Sequence, residues 1–318
     1  VCCMKKKRMK VGLFIDNYYP NIDGVTMVVD NLARCLTKYA DVVVVCPYID
    51  GCDDKGFPYK VIRLKSLKVP FTSYKIVDVF CNKSELIKEE FDIIHIHSPF
   101  ILGRIGINLA KKLNIPCIST LHTRFDFEFK RFVKNEVIAK KVAGVLIKSL
   151  NKCDLCTVVN DPLVLEARSY GYKGRIRVVY NGTDLKPAIF KGIKKNMINE
   201  MFNLKEEDKV MLFVGRIIDI KNIFFILTGK ITDRKLLSYI YRRSDLLLFP
   251  SLFDTSSLVR IEAAVNMTPG LFIRESMVGS TITDGVDGYL SELDVNLYKN
   301  KIINIFKNES ELKKVSRN

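Results

Sequence analysis

Asp92-Ile-Ile-His-Ile-His-Ser-Pro-Phe100, a helical pattern over residues 106–113, and Pro116-Cys-Ile-Ser-Thr-Leu121 form the stretch on which the fold turns. Two short apolar runs rich in β-branched residues flank apolar positions at helical spacing. Parallel neighbours need a crossover of about a dozen residues, so this spacing predicts a parallel β–α–β unit. The alternation extends in both directions. Upstream, residues 10–15 read as a strand, and a loop through Gly24 leads to a helix over 28–39 with apolar positions at 28, 29, 32, 33 and 36. Residues 41–46 and 60–64 read as strands. Downstream come a helical tract over 129–151, a strand at 155–159, a helix at 163–170 and a strand at 176–180. Together these make an α/β domain with a doubly wound parallel sheet over residues 1–180.

Residues 181–208 are polar, Lys-rich and irregular, and read as a hinge. A second alternating series fills 209–318, with strands at 210–214, 245–249 and 270–273 and helices at 236–243 and from 258. That is too few elements for a complete doubly wound domain. The chain runs from Lys221-Asn-Ile-Phe-Phe-Ile226 straight into Leu227-Thr-Gly-Lys230.

With 48% hydrophobic and 27% charged residues among 318, disordered, collagenous and disulfide-scaffold classes are excluded. No apolar run approaches the roughly 18–20 residues of a membrane span, and the run after the basic start ends at Asp16, too short for a signal peptide. A cytoplasmic location is therefore expected. The nine cysteines have no repeated metal spacing, and Cys153-Asp-Leu-Cys156 reads as packed, reduced thiols rather than a redox pair. Net charge is +16, and residues 1–186 hold 31 Lys/Arg against 19 Asp/Glu. Such a field suits anionic partners.

Ligands of open parallel sheets bind outside the carboxyl ends of the strands. Those ends carry Gly24, His97, His122, Gly215-Arg216 with Lys221, and Ser251 leading to Asp254 and Glu262. His95 and His97 resemble a metal pair, but with only three histidines in the chain no metal site is expected. His122 alone is equally a structural histidine. Cations near a helix start oppose its dipole, so Arg216 and Lys221 point to a bound anion. Asp254 and Glu262 also suit capping. Gly229-Lys230 lacks P-loop spacing, and no GxGxxG is present.

Taken in order, these segments resemble the retaining family-4 glycosyltransferases of the GT-B fold, two Rossmann-like doubly wound domains. The segments are Pro20-Asn-Ile-Asp-Gly24, the two histidine-bearing strand ends, Asn181-Gly-Thr-Asp184, Gly215-Arg216 with Lys221, and Phe249-Pro-Ser-Leu-Phe-Asp254 through Glu262-Ala-Ala264. The set is most similar to cell-envelope members. The resemblance implies transfer of a hexose from a UDP- or GDP-linked donor, a substrate rather than a cofactor, to a lipid or glycan acceptor. It implies a catalytic set of His122, Arg216, Lys221 and Asp254. Donor binding would fall to Gly24, Asn181, Gly215, Arg216, Lys221, Asp254, Ser257, Leu258 and Glu262, with Glu262 on the ribose and Asp254 on the sugar. His97, Arg124 and Asp126 would lie on the acceptor side, and no metal is implied. The alternative is a non-catalytic relative that binds a glycan or a partner.

The sequence departs from the family in three places. Ser257 stands where the family has glycine, a strand–helix–strand unit is missing between Phe225 and Leu227, and the last helix stops near Asn318. The C-terminal domain is thus expected to be incomplete. Residues 124–152 hold eight basic against three acidic residues, with Phe125, Phe127, Phe129 and Phe132 at the start. They read either as a membrane-surface helix, which would place the protein peripherally on an anionic inner membrane face, or as a core helix with solvated lysines. Nucleic acid is not an expected partner.

Overall fold

A computed structural model describes residues 8–68, 75–125, 135–189, 194–215, 228–252 and 254–318. The chain divides into two compact units, residues 1–181 and 182–318.

The first unit is built on a seven-stranded, all-parallel sheet. Its strands are β1 (Lys10–Phe14), β2 (Asp41–Pro47), β3 (Lys60–Leu64), β6 (Ile93–Ile96), β7 (Cys117–Leu121), β8 (Leu155–Val158) and β9 (Ile176–Val178), in the order β3-β2-β1-β6-β7-β8-β9. Strand order reverses between β1 and β6, which makes the crevice outside their carboxyl ends the switch point of this sheet. Val-Val-Val-Val-Cys-Pro of β2 is buried at every position after Asp41, as expected for a strand covered on both faces. A short antiparallel hairpin, β4 (Ser66–Lys68) with β5 (Lys75–Val77), stands apart from the main sheet.

Helix α1 (Gly24–Leu36) begins four residues earlier than its apolar pattern predicts, because the Asp23 carboxylate accepts from the Thr26 N–H and closes its first turn. Helix α2 (Ser84–Lys88) is short. Helix α3 (Ile101–Leu113) lies close on β6 through two glycines. A Cβ at Gly103 would come within 2.0 Å of the Ser98 carbonyl oxygen, and one at Gly106 within 2.8 Å of the Ile96 side chain. Helix α4 (Glu136–Leu150) and α5 (Pro162–Ser169) complete the unit. Cys117, Cys153 and Cys156 are buried, and the Cys153 sulfur lies 3.7 Å from that of Cys117 rather than pairing within its own motif.

The second unit carries a four-stranded parallel sheet, β10 (Met211–Leu212), β11 (Leu246–Phe249), β12 (Gly270–Ile273) and β13 (Tyr289–Ser291), paired in chain order. Among the described residues its first strand is an edge, whereas β1 of the first sheet has neighbours on both sides. A doubly wound domain winds both ways from its first strand, so this sheet is the second half of one. Helices α6 (Lys194–Met201), α7 (Arg234–Arg243), α8 (Leu258–Val265), α9 (Val295–Lys307) and α10 (Glu309–Val315) surround it.

Residues 182–208 fall within this second unit. Leu185 packs in a core with Tyr241, Leu247 and Phe272, Ile198 packs with Tyr239 and Ile240, and the buried Arg243 guanidinium donates to the Lys205 and Asp208 carbonyls. Apolar residues spaced too far apart to show a period still bury once the sheet is present.

Candidate functional site

The three histidines form one column at the carboxyl edge of the first sheet. His95 and His97 alternate along β6 and its exit, and His122 follows β7. Ring centroids lie 4.1 Å apart for His95 and His97 and 5.4 Å apart for His97 and His122. Thr157 donates to the Ser119 carbonyl, so its oxygen accepts from Thr120, 2.6 Å away. Thr120 therefore accepts from His95 Nε2–H at 2.6 Å, which fixes the tautomer of that ring. His97 Nδ1 and His122 Nε2 are 3.1 Å apart. Burial pushes all three rings toward the neutral form: His95 falls to about 3, His122 to about 4, and His97 well below its ordinary value, with neighbouring imidazoles adding to the effect at His95 and His97.

Two acidic residues close helix ends beside the switch point. The Asp16 carboxylate, just beyond β1, accepts from the Leu102 N–H at 2.9 Å and from the Ser98 hydroxyl at 2.6 Å, at the start of α3. Burial raises its pKa even so, against the lowering effect of those bonds. At the start of α1, Asp23 is held by Asn17 at 2.7 Å. Gly24 is exposed beside it, and a Cβ there would meet nothing within 4 Å. Tyr18, Tyr19, Tyr59 and Arg34 gather around Asp30 and hold this loop against α1.

In the second unit Glu262, on α8, is 6% exposed and both its oxygens are engaged. Arg234 Nη1 donates to one at 2.9 Å and the Tyr241 hydroxyl to the other at 3.1 Å. Arg234 Nη2 reaches the Asp184 carboxylate at 2.5 Å. Sequence reasoning missed Arg234. A buried carboxylate demands a cation, but its partner lies 28 residues away and no local pattern names it. A cavity of about 530 Å³ opens beside Arg234, between residues 184–189 and α7.

Ser257 caps α8 through a bond from the Arg260 N–H, in ordinary extended backbone with φ −71°, and Leu258 opens the helix. Asp254 is exposed, and Gly215 packs near the Phe213 ring. Asn181 closes the first unit. Arg124 pairs with Glu166 at 3.3 Å. Arg216, Lys221 and Asp126 lie outside the described residues, as does the junction between Phe225 and Leu227. The structure thus gathers His97 with His122 in one unit, and places Glu262, Ser257 and Leu258 on one helix of the other. Among the described residues no group of three or more His, Cys, Asp or Glu could hold a metal ion.

The family model for glycosyltransferase family 4 matches residues 22–187, more than half of the chain. The chain belongs to this family. Alpha-monoglucosyldiacylglycerol synthase of Acholeplasma laidlawii is 25% identical over an alignment of 366 residues, covering 98% of this chain and 91% of the relative. That alignment is longer than the chain itself, so the relative carries stretches with no counterpart here. Among solved structures, sucrose-phosphate synthase from Thermosynechococcus elongatus superposes with a TM-score of 0.75 at 17% identity, over 98% of this chain and 92% of that one. The Anabaena protein HepE in complex with UDP-glucose gives 0.71 at 12%, over 98% and 93%. The family-4 chain therefore has the α/β fold of the GT-B glycosyltransferases, with its C-terminal domain shortened.

Proposed function

We propose that this family-4 glycosyltransferase moves a hexose from a UDP- or GDP-linked donor to a lipid or glycan acceptor at a membrane surface, with retention at the anomeric carbon. The observation that carries the reading is the column of neutral histidines ending in His122 at the carboxyl edge of the first sheet, next to its switch point. A neutral imidazole beside the sugar orients hydroxyls without repelling positive charge that develops at the anomeric centre. Departure of the nucleoside diphosphate builds negative charge on phosphate. Arg216 and Lys221 offset it, and the N–H groups around Gly24 at the start of α1 also suit an anion. Glu262, oriented by Arg234 and Tyr241, takes the ribose hydroxyls, and Asp254 those of the transferred sugar. Gly215, Ser257, Leu258 and Asn181 shape the donor site, while His97, Arg124 and Asp126 belong to the acceptor side. The likeness to a monoglucosyldiacylglycerol synthase supports a glycolipid product.

A membrane-associated acceptor is supported by α4. Val137, Ile138, Val142 and Val145 are exposed on one side with Lys141 and Lys148, while Ala143, Ile147 and Leu150 are buried on the other. An outward face of apolar residues among lysines suits the interface of an anionic bilayer. No helix among the described residues is long and apolar enough to cross a membrane.

The test is sugar transfer from UDP- and GDP-hexoses to diacylglycerol or glycosyl-diacylglycerol in anionic vesicles. Transfer is expected, and Arg216→Ala should reduce its rate about 10²–10³-fold, the usual worth of one charge-stabilising donor. No transfer from any donor, or a loss under threefold at Arg216, overturns the reading.

A further inference from the structure

Cys153 and Cys156 share a CxxC motif, but Cys153 meets Cys117 instead, with the two sulfurs 3.7 Å apart and the residues 36 apart in the chain. The backbone holds them there. Asp154, next to Cys153, donates its N–H to the Cys117 carbonyl at 2.9 Å and accepts the Cys117 N–H on its carboxylate at 2.8 Å. The Cys153 N–H donates to the Leu150 carbonyl at 2.9 Å, at the end of α4. Cys156 lies on β8, its thiol directed at the Thr157 carbonyl at 3.5 Å. Cys117 opens β7 and His122 follows the end of that strand, so the pair sits at the sheet edge opposite the histidine column.

A disulfide needs its sulfurs about 2.0 Å apart, so the gap closes through a movement of under about 2 Å shared by two side chains. The two thiols are also unlike. The Cys117 S–H, with the Ser119 hydroxyl, holds Cys153 below the ordinary thiol range although burial works the other way. Cys117 is raised by the same hydrogen bond, and burial pushes Cys156 up to about 11. The thiolate is the reactive form, so Cys153 is the nucleophile of the three.

We propose that Cys117 and Cys153, rather than the two cysteines of the motif, form a redox pair: a peroxide converts them into a disulfide that staples the end of α4 to the sheet. The Cys153 thiolate attacks one peroxide oxygen, the O–O bond breaks, and the leaving hydroxide takes up the proton that Cys153 gave up. The Cys117 sulfur then attacks the sulfenic sulfur of Cys153. The S–S bond forms, the S–O bond breaks, and hydroxide leaves with the Cys117 proton as a second water. Two thiols are oxidised and one peroxide is reduced to two waters. The pair does not depend on the sugar-transfer reading.

The test treats the reduced full-length chain, in dilute solution, with hydrogen peroxide. Catalase stops the reaction, N-ethylmaleimide in guanidinium blocks the remaining thiols, and the linked peptides are mapped by mass spectrometry. A link between Cys117 and Cys153 is expected, reversed by dithiothreitol, with Cys156 recovered alkylated. Cys117→Ser should form no link and carry Cys153 on to the sulfinic acid, while Cys153→Ser should leave Cys117 a thiol. Closing a loop of this length should raise the thermal midpoint of the first unit by about 5 °C or more in the oxidised chain, and not in Cys117→Ser treated alike. Should a variant fail to fold, the wild-type map and midpoint decide the point. A link between Cys153 and Cys156, a link from either residue to the exposed Cys35, or both thiols recovered free once Cys35 is oxidised overturns the pair. A midpoint that does not rise on oxidation overturns the staple.

Discussion

Three imidazoles gathered in one column, with His97 and His122 buried, favour the neutral form in the folded chain. The unfolded chain takes up protons near 6.5, whereas folded His95 and His122 hold out to about 3 and about 4. Between those limits the unfolded state binds more protons, so stability is complete above about pH 6.5 and is lost as pH falls toward 4. Each ring contributes about 1.4 kcal/mol per pH unit in that window. The thermal midpoint should therefore drop steeply from pH 6.5 to 4.5, and His122→Asn should flatten the slope. A midpoint insensitive to pH across that range would contradict the burial of the column. That His97 and His122 end neighbouring strands was legible in the sequence, since those strands form one β–α–β unit, but their hydrogen bond was not. The pairing of Arg234 with Glu262 was not legible either, because it joins the start of α7 to the second turn of α8 through tertiary packing alone.

Among the elements, strands were the most legible, because β-branched runs buried on both faces leave little choice of conformation. Helix starts were less so. The apolar period says where a helix is amphipathic, while its end is set by capping groups such as Asp23 for α1 and Asp294 for α9. Helix α9 went unread because its first turn exposes Val295 and Leu297, which blurs the period. For α4 the sequence left two readings open, and the exposed apolar side favours the interfacial one. Val137 and Val145 are each 63% exposed, so replacing both by glutamate should change stability by no more than about 1 kcal/mol. It removes apolar area from the interface and adds two repulsive charges. Binding to anionic vesicles, measured by co-sedimentation, should fall at least about tenfold. Unaltered binding would overturn the interfacial reading of α4.

At the scale of the whole molecule, the two sheets differ in kind. One winds both ways from its first strand, and the other has β10 at its edge among the described residues. Each unit has its own core, so a single two-state transition is not expected of the chain. Calorimetry should resolve two transitions, the four-stranded unit melting first because it buries less of its chain. If the donor site belongs to that unit, UDP or GDP at a hundred times its Kd adds about 2.7 kcal/mol to that unit alone. For a domain of this size that is roughly a 5–10 °C rise in the lower midpoint, with the upper one unmoved. The same rise should be absent in Glu262→Gln, which keeps the side-chain shape but gives up the carboxylate proposed to take the ribose hydroxyls. A nucleotide that moved the upper transition instead would place donor binding on the seven-stranded sheet and reverse the assignment of donor and acceptor sides.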